Sequence, residues 1–130
     1  MNQNSSEQMK YIEITQAGGP EVLKVVQGKK PEIKEDQVLI EVYATGINRP
    51  DILQRQGLYP MPKGVTPVPG LEVAGEVVAV GAEVQNFKVG DQVCGLTNGG
   101  GYAEYCVVPE SQTLQIPAGL SYVQAAAIPE

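Results

Sequence analysis

Fifteen glycines and ten prolines punctuate this chain of 130 residues, and the apolar runs left between them are short and rich in valine and isoleucine. Glycine and proline open turns and interrupt element interiors, so such a chain folds as many brief strands joined by turns. With one Phe and no Trp, the core falls to Val, Ile, Leu and Ala. The length suits one domain with a core of its own, yet is small for an enzyme that must also hold a large cofactor. A second domain is expected to be missing.

The strands are read from the pattern. Met9 to Thr15 and Val22 to Gln27 are short β-rich runs on either side of Gly18-Gly19-Pro20, and they read as a hairpin or a pair of adjacent strands. Gln37 to Ala44 alternates, with Val38, Ile40 and Val42 on one face and Leu39, Glu41 and Tyr43 on the other. Gly70 to Gly81 is a longer run whose internal Gly75 suggests a bulge or bend of the kind that closes a small barrel. Gln92 to Leu96 and Gly101 to Pro109 supply further strands. Six or so strands with regular turn signals predict a sandwich or barrel.

Two helix starts stand out. Asn48 can cap a helix whose first turn holds Arg49 and Pro50, and Asp51 falls where its carboxylate can reach back to the cap's own N–H; Gly57 ends it. As a local pattern this is a capping pair, and capping does not exclude a second role. The second start is Ser121-Tyr122-Val123-Gln124, a capping box followed by three alanines. Only about two turns follow before Glu130, and isolated short helices are marginal, so a truncated chain is expected.

Composition excludes several function classes. A net charge of −6 with no basic cluster offers nothing to a phosphate backbone or an anionic membrane. No apolar run approaches the roughly 18 residues of a membrane span, and residues 1–8 lack the apolar core of a signal peptide and read as a flexible leader. A cytoplasmic protein is expected, and Asn4-Ser5-Ser6 is then a chance glycosylation pattern. The chain has no histidine, which removes Ser-His-Asp and Cys-His pairs and every His-containing zinc site. Cys94 and Cys106 sit in apolar stretches and read as inert core thiols. Gly99-Gly100-Gly101 has Glu104 where a dinucleotide fingerprint needs its last glycine, and it precedes a strand, so it reads as a flexible turn.

Four separated motifs occur in one order: Thr45-Gly46-Ile47-Asn48-Arg49-Pro50-Asp51; Pro69-Gly70-Leu71-Glu72-Val73-Ala74-Gly75-Glu76-Val77; Val80-Gly81; and Val89-Gly90-Asp91-Gln92-Val93. Together they resemble the N-terminal, GroES-like catalytic domain of the medium-chain dehydrogenase/reductase superfamily, from Met9 almost to the end. Asn48 and Leu71 stand where the zinc alcohol dehydrogenases carry Cys and His, and the cysteine lobe of their structural zinc is absent. An amide and an alkyl chain cannot replace those ligands. What remains is similar to the zinc-independent quinone oxidoreductases, which carry an Asn-x-x-Asp pair and a Gly-x-Tyr where Asn48, Asp51 and Tyr59 stand here. The segment Leu53-Gln54-Arg55-Gln56-Gly57-Leu58-Tyr59, with Gly99-Gly100-Gly101 and Gln124-Ala125-Ala126-Ala127-Ile128-Pro129, is most similar to the tumour-suppressor-inducible type and its bacterial relatives.

The resemblance implies a mainly β fold with short helices, a partly open GroES-like β-barrel over 9–120, and a helix begun in 121–130 that leads to a Rossmann domain absent from this chain. It implies hydride or electron delivery from NADPH to quinones or related conjugated carbonyls, with no zinc. Asn48, Asp51 and Tyr59 are then both the catalytic and the cofactor-binding candidates, most NADPH contacts lie in the missing domain, and the parent protein is a homodimer. By itself the fragment is expected to be inactive. Glu72 is expected to brace the domain interface or pair with a basic group, and Arg49 is a candidate for a cofactor phosphate. Two alternatives stay open, a stand-alone GroES-like binding module and an enoyl-thioester reductase. The plain structural alternative for Tyr59 is a surface turn aromatic before Pro60.

Overall fold

The computed structural model describes residues 7–59 and 64–129. Residues 1–6, most of the expected leader, lie outside them, as do Pro60 and Glu130. The Glu7 carbonyl accepts from the Lys30 N–H at 2.8 Å.

β1 (Gln8–Ile14) and β2 (Leu23–Lys29) form the expected antiparallel hairpin, in register from Gln8 opposite Lys29 to Ile14 opposite Leu23. The five remaining strands, β3 (Gln37–Thr45), β4 (Glu72–Val80), β5 (Gln92–Leu96), β6 (Tyr105–Pro109) and β7 (Thr113–Gln115), build one sheet in the order β6-β3-β4-β5-β7. Every pairing is antiparallel, so the described residues contain no parallel sheet of the dinucleotide-binding kind.

Two irregularities curl this sheet into a half-barrel. Between β3 and β4 the register slips at Leu39/Ile40 and again at Val42/Ala44, where Tyr43 is the extra residue opposite Gly75 and Ala74. Gly75 has the role its position predicts, since a Cβ there would meet the Glu41 carbonyl. The inner face packs Val38, Ile40, Val73, Val77, Val93, Cys106 and Val108 into one core, each fully buried valine or isoleucine contributing about 1.5–3 kcal/mol. On the outer face, Ala74 and Cys94 meet Ala125 and Ala126, which belong to or follow α2 (Tyr122–Ala125). Small residues on both sides let this four-residue helix lie close to the sheet.

Three expectations need correction. Gly101–Glu104 is not strand: Tyr102 and Glu104 bond to Ile12 and Lys10 of β1 and to Val42 of β3, so the segment fastens one sheet to the other and has no single partner to form a ladder with. The triple glycine is a tied corner and not a flexible turn, because Gly100, Gly101 and Tyr102 donate to the carbonyls of Val68, Gly70 and Pro69. β7 escaped notice because three residues carry too little alternation to read.

Candidate functional site

Asn48 caps α1 (Arg49–Arg55), with extended φ and ψ of −127° and 161°. Proline in the first turn suits a helix that needs no N–H there. At the other end Leu58 N–H bonds the Leu53 carbonyl and Gly57 N–H the Gln54 carbonyl, a Schellman close for which Gly57 supplies a φ of 78°. Arg55 Nε then donates to the Gly18 carbonyl at 3.1 Å, and Gly18 N–H returns a bond to the Arg55 carbonyl at 3.0 Å. The helix is thereby locked against the β1–β2 turn.

At its entrance Asn48 and Asp51 stand as the expected capping box, but the well-formed bond is the reverse one. Asp51 Oδ2 accepts from the Asn48 N–H at 3.0 Å, while the Asn48 side chain makes no full cap bond. Its amide instead donates to Glu72 Oε1 at 2.9 Å. Glu72 opens β4, and its carbonyl also receives Thr45 Oγ1 at 2.8 Å and Gly46 N–H at 3.1 Å, which pins the turn leading into Asn48. The expectation of a basic partner or interface brace for Glu72 did not foresee this amide.

Asp51 Oδ2 has a second donor, the Tyr102 hydroxyl at 2.7 Å. Burial, then the bond to Asp51 and its charge, raise the Tyr102 phenol above its ordinary value, so it stays protonated and donates. Asp51 and Glu72 are only 5% and 4% exposed, and Asp51 Oδ1 is buried with no hydrogen-bond partner. Two carboxylates thus flank one asparagine inside the fold. Groups of this kind are costly to bury and are retained where they orient something.

Tyr59 is not part of this cluster. It stands 38% exposed beyond the close of α1, with no hydrogen bond to Asn48 or Asp51 among the described residues. Arg49 is exposed. Leu71 contributes its backbone, its carbonyl accepting from the Thr97 N–H at 2.8 Å. Cys94 and Cys106 are free and buried; burial raises both thiols, that of Cys106 to about 12, as inert core cysteines require. No group of three His, Cys, Asp or Glu side chains able to hold a metal occurs among the described residues. Nor is any helix among them long and apolar enough to cross a membrane. Tyr102 was the functional candidate that the sequence concealed: it lies 51 residues from Asp51, and its only signal was an aromatic at the end of a glycine run.

The profile of the alcohol dehydrogenase GroES-like domain matches residues 34–118. The chain belongs to this family. Among its relatives is the quinone oxidoreductase of Sus scrofa, 42% identical over 122 residues, 92% of this chain and 37% of that protein. Solved structures give the same picture for this GroES-like domain. The Coxiella burnetii quinone oxidoreductase superposes with a TM-score of 0.86 at 35% identity, over 94% of this chain and 41% of that one. The Escherichia coli quinone oxidoreductase complexed with NADPH gives 0.83 at 36% identity, over 92% and 36%. The GroES-like chain therefore spans well under half the length of these relatives, and the match lies in their N-terminal part.

Proposed function

We propose that this chain is the acceptor-side domain of a zinc-independent, NADPH-dependent quinone oxidoreductase, reducing quinones or related conjugated carbonyls. The observation that carries the reading is the Asn48 amide. One of its two N–H groups is held by a buried carboxylate, and the other is left for a ligand.

The donor set suits the reactive end of such a cofactor and its acceptor, and it does not suit zinc, since Asn48 and Leu71 supply neither thiolate nor imidazole. Bound NADPH would supply a hydride. The residues of this chain orient and polarise: the remaining Asn48 N–H donates to a carbonyl oxygen as negative charge develops on it, Asp51 holds the Asn48 backbone, and the exposed Tyr59 phenol offers a further hydrogen bond to cofactor or acceptor. The phosphates find no glycine-rich turn between strand and helix among the described residues, so this chain meets the nicotinamide end alone. On the same reading the whole protein is a cytoplasmic homodimer.

The test is NADPH oxidation by the whole protein against quinones, enoyl thioesters and no acceptor. Turnover with quinones is expected, reduced in Asn48→Ala and in Tyr59→Phe. Preference for the thioesters would move the assignment to that class of reductase, and unchanged turnover in both variants would sink the site.

A further inference from the structure

We propose that Glu72 and Tyr102 are positioning residues that fix the polarity of the Asn48 amide, so that this residue offers a ligand an N–H and not its carbonyl oxygen. This rests on the reading of the site given above and names the groups that aim it.

The two ends of an asparagine amide are nearly alike in shape, and a half-turn exchanges a donor for an acceptor. The neighbour decides which end faces where. Glu72 presents a carboxylate oxygen, which accepts, at 2.9 Å from Asn48 Nδ2, and at 4% exposure water does not compete for the place. The carboxylate passes over Gly46 so closely that a Cβ there would overlap it, and the Glu72 carbonyl holds Thr45 and Gly46 as well. The same residue therefore fixes the turn that delivers Asn48 and the amide that Asn48 delivers.

Tyr102 secures the other side. Asp51 Oδ2 takes both the Asn48 N–H and the Tyr102 hydroxyl. Tyr102 is itself tied at both backbone ends, its N–H to Pro69 and its carbonyl to Ile12, so its phenol reaches Asp51 from a fixed point. Rotation of the carboxylate would forfeit that donor. With the Asn48 backbone held by Asp51 and its side chain by Glu72, one N–H is left with a set direction.

Nuclear magnetic resonance of the nitrogen-15-labelled chain tests this without cofactor or turnover. The two Asn48 side-chain protons are expected to differ, one shifted downfield and protected by Glu72, the other exchanging freely. In Glu72→Gln, whose amide satisfies either orientation, the Asn48 side-chain signals are expected to double. In Tyr102→Phe, the Asn48 backbone N–H is expected to exchange about tenfold faster. Equal, fast exchange of both side-chain protons in the unmodified chain overturns the proposal, and this spectrum decides alone if Glu72→Gln does not fold. In the whole protein, Glu72→Gln is expected to lower kcat about tenfold or more with little change in KM. Quinone turnover undiminished by that variant overturns the proposal while leaving the reductase reading intact. A whole protein that reduces no quinone sinks the reductase reading, and the spectra still decide the polarity of Asn48.

Discussion

The two helices of this chain start with the same device and use it differently. At α2 the box is local and complete: Gln124 N–H donates to Ser121 Oγ at 3.1 Å, Ser121 N–H donates to Gln124 Oε1 at 2.9 Å, and both residues are exposed. At α1 the forward contact falls short of a full cap bond, the reverse one is well formed, and the side chains turn to partners on β4 and on the corner at Tyr102. One carboxylate oxygen is left buried without a partner. A box that only caps has no reason to accept that cost, about 1–3 kcal/mol for an unsatisfied buried group. The contrast separates a plain helix cap from the candidate site more sharply than either motif does by itself.

The strongest way to break the contrast is Gly46→Ala. The added Cβ would displace the Glu72 carboxylate, and overpacking of this kind is expected to cost about 2–3 kcal/mol in a urea melt. An unchanged midpoint would mean that Glu72 is not seated over the turn. Next come the two caps themselves. Asn48→Ala should lower stability by about 1–3 kcal/mol, because it takes the amide donor away from the buried Glu72 carboxylate, and Ser121→Ala by about 1 kcal/mol through the lost cap. Only the first should also slow quinone reduction by the whole protein, by about tenfold or more; equal losses of turnover would erase the difference between the two boxes. Tyr59→Phe sharpens the boundary of the site, because Tyr59 lies outside the buried cluster. Its melt should match that of the parent chain, so that any fall in turnover reports the phenol alone.

The smallest effect concerns Asp91, a half-buried carboxylate at the surface, bonded locally by the exposed Lys88 and also by Gln115. The Lys88 ammonium and N–H, then Gln115, hold it down at about 2. The unfolded chain takes up the proton first as pH falls. The contribution is therefore complete above the ordinary carboxyl range near pH 4 and disappears as pH drops towards 2. Acid unfolding of Asp91→Asn should lack that part of the slope, and the change should be small because salt and water screen the group.

Much of the fold was legible. Alternation at Val38 and Ile40 placed β3, Gly18-Gly19-Pro20 placed the hairpin turn, and Gly75 marked the curl, because each depends on local sterics that a short window carries. Gly101–Glu104 was misread as strand because its hydrogen-bond partners come from two different sheets. Of the site, Asn48 and Asp51 were visible as a cap. Tyr59 was named with them on family likeness, and the structure leaves it apart. Glu72 was noticed for its position but given a different partner, and Tyr102 was not considered.

The sequence by itself determined that the chain is a β-rich domain of short strands, that it carries no histidine, and that two helices begin at Asn48 and Ser121. These follow from backbone restrictions, side-chain chemistry and neighbours a few residues away. Only the tertiary structure decided which of the two helix starts joins a buried polar cluster. That depends on Glu72, 24 residues from Asn48, and on Tyr102, 51 residues from Asp51, and no local pattern records which distant donor or acceptor a curled sheet will bring within 3 Å of a buried side chain.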